Sequence, residues 1–144
     1  MLKFIDRAKA LVLTAALLMS GSSFACRCVE PGPPAGNYRR ASAVFVGNVV
    51  SVKEGAEQRL TATFRVSQSW KKHLGAEVDV STEAGACAAT MTPGVTYLLY
   101  ARELPAHAGL TTERCMGNLP IDGAEKPLHW LKRNAKPTVT TAPR

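Results

Sequence analysis

The sequence LTATFRVSQSW, residues 60–70, contains the clearest structural signal in this chain. Apolar and polar side chains alternate along it: Leu60, Ala62, Phe64 and Val66 fall on one face, and Thr61, Thr63 and Arg65 fall on the other. Alternation with a period of two is typical of a β-strand that buries one of its faces. The segment therefore predicts a half-buried strand.

Other segments on both sides of this one also resemble strands. They are short, rich in Val, Leu or aromatic residues, and bounded by turn signals: Ala43–Val52, Glu77–Thr82, Val95–Ala101 and Leu110–Arg114. Gly47 predicts a bulge or bend in the first of them. Ile121–Asn134 is predicted as a short helix that packs through Leu128, Trp130 and Leu131.

Two segments lack these patterns. Pro31 to Gly36 contains three Pro and two Gly, which predicts a stiff, extended, non-helical conformation. Lys136 to Arg144 is rich in Pro and Thr and is predicted to be disordered. Five short strands and a late helix favour a mainly β fold, a five-stranded Greek-key barrel of the OB type with a short C-terminal helix. A β-sandwich is the alternative.

The first residues have the pattern of a secretory signal peptide. A basic start precedes the apolar run Ala10–Met19, which is about half the length needed to span a bilayer. Ser23 and Ala25 are small, as cleavage after Ala25 requires. We therefore expect a signal peptide at residues 1–25 in a secreted protein, or in a periplasmic one if the source is a Gram-negative bacterium.

Cleavage after Ala25 makes Cys26 the first residue and leaves its α-amino group free. Lipidation of Cys26 is the alternative, but Ser23 and Phe24 fit a lipoprotein signal poorly. Removing the signal takes away three of the 18 basic residues and one of the 11 acidic residues, which lowers the formal net charge from +7 to +5. That excess suits an acidic partner or surface but does not predict nucleic-acid binding.

The remaining chain is expected to form one domain, residues 26–134, with a tail at 135–144. We expect a monomer that has no membrane association once the signal is gone. The domain contains all four cysteines, at positions 26, 28, 87 and 115, and an even number of cysteines in a small exported domain predicts disulfides.

Three cysteine pairings are possible. Cys26 with Cys28 would close a very tight ring. In an extended segment these two residues point to the same side, towards Cys87 and Cys115, and Arg27 between them points outward. Each long-range bridge would contribute roughly 4 kcal/mol in the chain-entropy model.

Motifs of common enzymes are missing from the sequence. It contains no G-x-S-x-G, H-E-x-x-H, phosphate-binding loop or dinucleotide fingerprint. His73, His107 and His129 are far apart and lack the spacing of metal ligands. A redox role for the C-x-C pair is a minor alternative, since thiol oxidoreductases usually carry C-x-x-C. We expect a protein that is not an enzyme and that binds no cofactor and no metal of its own.

The run Cys26-Arg27-Cys28-Val29-Glu30-Pro31-Gly32-Pro33 resembles the C-x-C-V-x-P-x-P opening of the tissue inhibitors of metalloproteinases. The resemblance extends over nearly the whole domain, through these further segments: AVFVGNV at 43–49, Ala86-Cys87, YLLY at 97–100 and LTTERC at 110–115. It implies an OB-like barrel of the netrin-module type. It also implies the disulfides Cys26–Cys87 and Cys28–Cys115.

The resemblance further implies a mechanism. The amine and carbonyl oxygen of Cys26 would chelate the catalytic zinc of a target metalloproteinase and displace its reactive water. Arg27 would enter the specificity pocket beside that zinc, and Cys28, Val29 and Pro31 would extend the ridge that fills the cleft.

Two features depart from the family pattern. The animal inhibitors have six cysteines in their first domain and a second domain after it, whereas this chain has four cysteines. Arg27 stands where the family usually has Thr or Ser, and a long cation is costly to desolvate in an apolar pocket. A secreted netrin-like binding module that does not inhibit a protease is the alternative function.

Overall fold

A computed structural model describes Cys26, Cys28 and residues 32–56, 59–104 and 107–140. Regular structure begins with helix α1 and continues through seven strands and a second helix: α1 Pro34–Arg40, β1 Ala43–Glu54, β2 Leu60–Trp70, β3 Glu77–Thr82, β4 Thr96–Leu104, β5 His107–Thr111, β6 Leu119–Pro120, α2 Glu125–Asn134 and β7 Pro137–Thr140. Two 3₁₀ turns, Arg114–Met116 and Ile121–Gly123, precede β6 and α2 respectively. No helix within these described ranges is long and apolar enough to cross a membrane.

The first five strands close into a barrel. The antiparallel hairpin of β1 and β2 continues through β3, which pairs with β5 in parallel, and β5 pairs antiparallel with β4. Strand β4 then pairs with β1, from Ala43↔Ala101 to Asn48↔Thr96, and this pairing completes the ring. The mainly β, OB-like barrel predicted from the sequence is confirmed. Strands β6 and β7 extend the sheet from β4 and β2.

Alternation in β2 determines what fills the barrel. Ala62, Phe64 and Val66 are buried, whereas Arg65 points outward and is exposed. The ring of Phe64 meets that of Phe45 edge to face, with 5.5 Å between their centroids. The other buried apolar side chains of this interior come from all sides of the ring, among them Val49, Val80, Tyr97, Leu99 and Leu110.

The bend predicted at Gly47 is present. The β1–β2 register shifts between Val46 and Gly47. A Cβ atom at Gly47 would lie 3.1 Å from both the Arg65 carbonyl oxygen and the Phe45 ring. Gly47 therefore lets β1 bend tightly over β2 and around the filled interior.

A second apolar layer lies outside the barrel, under α2. Leu131 is fully buried there, against a cluster that includes Trp70, Leu98, Tyr100 and Met116. Leu128 and Trp130 are half-buried at its margin, so the three apolar residues predicted to pack the helix do so.

The prediction of an extended, non-helical Pro31–Gly36 segment is wrong from Pro34 onward. Pro34 begins α1, with Pro33 as its N-terminal cap. The first turn of a helix needs no backbone N–H from its first residue, and the fixed φ of proline suits that position. Gly36 is accommodated in the same short helix, whose C-terminal turn carries Arg39 and Arg40.

Other boundaries also differ from the sequence predictions. The helix predicted at Ile121–Asn134 begins at Glu125, because Ile121–Gly123 forms a separate 3₁₀ turn. The fifth strand is His107–Thr111 rather than Leu110–Arg114, because the chain turns into a 3₁₀ conformation at Arg114. The segment predicted as a disordered tail contains β7, which pairs antiparallel with the end of β2. The signal-peptide prediction concerns residues 1–25, which lie outside the described residues.

Candidate functional site

Two disulfides hold the N-terminal cysteines. Cys26 is bonded to Cys87 and Cys28 to Cys115, with Cα–Cα distances of 5.0 and 5.1 Å. This is the pairing that the family resemblance implies. The bridges join residues 61 and 87 positions apart, so each ties the N-terminal segment to a distant part of the barrel.

The four cysteines form one compact group, here called the disulfide cluster. The sulfur of Cys26 lies 3.7 Å from that of Cys115, so the two bridges are in contact. The sulfurs of Cys26, Cys28 and Cys115 all lie within 4.8 Å of one another, which is close enough for three metal ligands. All three cysteines are bonded in disulfides, whereas a cysteine binds a metal ion as a free thiolate. The cluster is therefore a structural anchor in this oxidised form.

The two segments that receive the bridges are themselves linked. Cys87 lies in the loop between β3 and β4, and Cys115 lies in the 3₁₀ turn after β5. The backbone N–H of Arg114 donates to the Cys87 carbonyl oxygen at 2.9 Å. Because the segments that carry Cys87 and Cys115 are joined by this bond, the two disulfides fix Cys26 and Cys28 against one surface of the domain.

A buried polar network places the Cys115 segment on the barrel. The Asn118 carbonyl oxygen Oδ1 accepts a hydrogen bond from the Tyr100 backbone N–H at 2.8 Å, and its Nδ2 donates to Thr112 Oγ1 at 2.8 Å. Thr112 Oγ1 in turn donates to the Tyr100 carbonyl oxygen at 2.7 Å. These bonds hold residues 112–118 against β4, since buried polar groups that lose their partners cost free energy.

Asn37 holds the N-terminal segment at a third point. Its buried side chain donates to the Gly32 carbonyl oxygen at 3.1 Å and accepts from Arg40 at 2.6 Å. The backbone of Gly117, with a φ of 93°, lies against the Asn37 side chain. Neither Asn37 nor Asn118 belongs to a sequence motif that would reveal it. Gly32, a partner of Asn37, lies in a segment predicted to be extended, and Tyr100, a partner of Asn118, lies 18 positions away on β4.

A small cavity of about 220 Å³ lies beside Cys87. Its lining includes Thr82, Glu83 and Met116 together with an ion pair, in which Arg102 donates to Glu113 at 2.9 Å. The Arg102 Nε atom also contacts the Met116 sulfur at 3.0 Å. Arg102, the one cation in the lining, is paired with Glu113, and the other lining carboxylate, Glu83, is paired with Arg59. The cavity therefore offers no unpaired charge to a ligand.

Burial changes the acidity of one group behind the cluster. It raises the pKa of Tyr100 from 10.0 to about 12. Within the described part of the chain, the Tyr100 hydroxyl has no hydrogen-bond partner, and neither has Trp70 Nε1. Both groups lie in the apolar layer under α2. The pKa of Tyr100 is raised because loss of its proton would leave an unpaired negative charge in these apolar surroundings.

The predicted ridge is only partly within the described residues. The structure places Cys26 and Cys28 together, whereas Arg27, Val29 and Pro31 lie outside it. His73 and His129 are both exposed, and no histidine joins a metal-binding group in the described ranges.

No protein-family model matches this sequence, and no curated protein matches it. Its function is therefore inferred from the chain's own residues and geometry.

Proposed function

We propose that this protein is a secreted inhibitor of a zinc metalloproteinase, resembling the tissue inhibitors of metalloproteinases. After cleavage behind Ala25, the amine and carbonyl oxygen of Cys26 chelate the catalytic zinc of the target. The observation that supports this best is the double anchorage of residues 26 and 28 through Cys26–Cys87 and Cys28–Cys115. The N-terminus that would meet the metal is covalently bound to the barrel.

Anchorage matters because a chelating ligand must be held in place before it binds. Ordering a flexible terminus at an interface costs free energy, and rigidifying it beforehand removes most of that cost. Two disulfides in contact, together with the Asn37 bond to Gly32, restrict the segment at three points within seven residues of chain. The arrangement therefore suits insertion into a cleft.

The chemistry of the terminus suits zinc. A catalytic zinc keeps one coordination position open for water, and nitrogen and oxygen are both ordinary zinc ligands. An α-amine has a pKa near 7.7–8, so it deprotonates near neutral pH far more readily than a lysine. A bidentate ligand at the open position displaces the water that would attack the peptide bond. The inhibitor itself needs no metal and no catalytic group.

The residue after the chelating cysteine would determine which protease is inhibited. In the family this side chain enters the specificity pocket beside the metal, and here it is Arg27. A guanidinium binds well where a carboxylate can pair with it in a bidentate way, and poorly where the pocket is apolar. We therefore propose a target whose pocket is acidic or open to water.

The test begins with the protein as the cell exports it. Its intact mass should correspond to Cys26–Arg144 with two disulfides and an unmodified N-terminus. It is then assayed against a panel of zinc proteases before and after selective acetylation of the α-amine near neutral pH, where lysines remain protonated. We expect inhibition of at least one protease, and its loss on acetylation.

Three results would contradict the proposal: a lipidated Cys26, a mature chain that begins elsewhere, or inhibition that survives acetylation. A correctly processed protein that inhibits no zinc protease would favour the netrin-like binding module instead. The mass and the inhibition assay thus test processing and mechanism separately.

A further inference from the structure

The positive charge of the described residues is concentrated on one side of the molecule. If Lys71, whose ammonium lies against α1, is set aside, the barrel strands and their loops carry six basic and six acidic residues and have no net charge: Lys53, Arg59, Arg65, Lys72, Arg102 and Arg114 against Glu54, Glu77, Asp79, Glu83, Glu103 and Glu113. Four ion pairs, Arg59–Glu83, Arg65–Glu77, Lys72–Glu103 and Arg102–Glu113, account for many of these charges.

The helical side has the opposite balance. It carries seven basic residues and only two acidic ones: Arg39, Arg40, Lys71, Lys126, Lys132, Arg133 and Lys136 against Asp122 and Glu125. We call these seven cations the basic face. Because the barrel is neutral, the entire charge excess of the described residues lies on this face.

Contacts between the elements that carry these cations show that the elements are adjacent. The rings of Tyr38 in α1 and Trp130 in α2 lie 5.4 Å apart. The Lys71 ammonium lies 4.9 Å from the centre of the Tyr38 ring. It donates to the carbonyl oxygens of Tyr38 and Ala41, at 2.9 and 2.5 Å, and so also caps the C-terminal end of α1. Pro137, the residue after Lys136, pairs with Trp70, the residue before Lys71. The two helices, the end of β2 and the start of β7 therefore form one surface.

Helix stability explains only some of these cations. Arg39 and Arg40 end α1, and Lys132 and Arg133 end α2, where positive charge complements the helix dipole. Lys126 occupies the first turn of α2, where the dipole disfavours a cation. It lies seven residues before Arg133, so the two side chains share the exposed face of the helix, and half-buried Trp130 lies beside them.

We propose that the basic face binds the surface of a membrane rich in anionic phospholipid. Each lysine or arginine near such a surface contributes electrostatic attraction, and a tryptophan at the same level is suited to the interface between headgroups and water. Cations that come from two helices and two strand ends give such a surface several separate points of attraction. The disulfide cluster is bonded to the β3–β4 loop and to the turn after β5, and none of the seven cations takes part in it.

This proposal differs from the sequence-based expectation that the mature protein has no membrane association. The cations are spread over almost one hundred positions of the sequence, from Arg39 to Lys136, and only the fold brings them together. Binding of this kind is peripheral and reversible, and it falls as salt screens the charges. It does not depend on the proposed protease inhibition.

The experiment measures partition of the exported, disulfide-bonded protein onto lipid vesicles. Vesicles of phosphatidylcholine and phosphatidylglycerol in equal amounts are compared with vesicles of phosphatidylcholine alone. The double variant Lys126→Gln/Arg133→Gln removes two charges from the basic face. Lys53→Gln/Arg65→Gln, a matched control, removes one lysine and one arginine from exposed sites on the barrel. All proteins are compared at the same ionic strength.

We expect binding to the anionic vesicles only, weakening as salt is raised. The Lys126→Gln/Arg133→Gln variant should bind about 30-fold more weakly, from about 1 kcal/mol for each cation. The control should bind within about twofold of the wild type. Fluorescence adds a second readout: Trp70 is buried, so a blue shift on vesicle binding reports Trp130.

The proposal is overturned if the wild type does not bind to anionic vesicles. It is also overturned if the two double variants lose the same affinity for these vesicles, since the net charge of the protein alone would then be responsible. Binding to a sulfated polysaccharide or to a polynucleotide without binding to vesicles would also overturn it, because the partner would then be a polyanion of another class. A Trp130 emission that stays constant while the protein binds would place the contact elsewhere.

Discussion

Cys26 combines a structural role with the chemical role proposed for it. Its sulfur is bonded to Cys87 and touches the second disulfide at Cys115. Its amine and carbonyl oxygen are not used by these bonds, so a processed N-terminus could keep both as zinc ligands. Few residues can supply a covalent anchor and a bidentate metal ligand at the same time. Under the proposed mechanism, a cysteine at the first position is therefore better suited than another small residue.

Arg27 is the residue on which target choice should depend. It lies outside the described residues, and its role follows from the family resemblance. We expect Arg27→Thr to leave the melting temperature nearly unchanged, because the sequence predicts that the side chain points outward. It should strengthen inhibition of proteases with apolar pockets and weaken inhibition of those whose pocket offers a carboxylate.

The measurement for Arg27 is a set of inhibition constants, determined for wild type and variant on the same panel of zinc proteases. An unchanged constant for every protease would mean that the side chain does not enter a specificity pocket. A large fall in melting temperature would mean instead that Arg27 supports the fold.

Tyr100 should make stability fall at high pH. Burial raises its pKa from 10.0 to about 12. In the unfolded chain a tyrosine loses its proton near pH 10, so between pH 10 and 12 the folded state holds more protons than the unfolded state. The free energy of unfolding should therefore decrease over this interval, by roughly 2–3 kcal/mol.

Tyr100→Phe provides the control, because it removes the titrating group and keeps the ring. In the described residues the hydroxyl has no partner, so the variant should be as stable as the wild type at neutral pH, or slightly more so. Denaturant unfolding of both proteins across this pH range isolates the contribution of Tyr100. Equal losses in the two proteins would show that other groups cause the decline.

At the scale of elements, α1 and the turn that carries Cys115 depend on each other. Asn37 in α1 binds Gly32, and Gly117 lies against the same asparagine. The sequence did not reveal this contact, because a proline-rich segment gives little sign of a short helix and α1 has only seven residues. The long strands were predictable because their alternation is strong, as Leu60–Trp70 illustrates.

Gly117→Ala tests this contact. A left-handed φ of 93° is costly for alanine, and the new Cβ would lie 2.9 Å from Asn37 Cγ and closer still to Nδ2. We expect a loss of about 2–4 kcal/mol in the free energy of unfolding. Hydrogen exchange should also become faster in α1, since Asn37 must move to make room.

Gly123→Ala is the matched control for this substitution. Its Cβ would meet no atom within 4 Å, and its φ lies outside the left-handed region. We expect a change within about 0.5 kcal/mol. If both variants are equally stable, the Gly117–Asn37 contact does not constrain the N-terminal segment.

For the molecule as a whole, the sequence predicted the barrel but not the distribution of its charge. Closure requires β1 to pair with β4, and β3 with β5, across long stretches of chain. The number and spacing of the strands predicted an OB-type barrel and the family resemblance implied the same fold, whereas the disulfide pairing came from the resemblance alone. The fifth strand was placed too late because Thr112 to Cys115 continues the apparent pattern while the chain already turns at Arg114.

The basic face was beyond sequence reasoning for a physical reason. Its cations come from α1, the end of β2, α2 and the start of β7, and the most basic of these segments, residues 126–136, carries only four of the seven. Likewise, the ion pairs that neutralise the barrel join residues as far apart as Lys72 and Glu103. Local patterns cannot show such pairings.

The most direct test of the central claim adds one glycine before Cys26 and compares this form with the native protein. A matched control carries the extra glycine after Arg144. Zinc chelation requires the amine and the carbonyl of the same residue, so the N-terminal extension should weaken inhibition of the target protease by about 100-fold or more, with an unchanged melting temperature and unchanged disulfides. The control should inhibit like the native protein. An N-terminally extended form that folds correctly and inhibits as well as the native one would contradict chelation by Cys26.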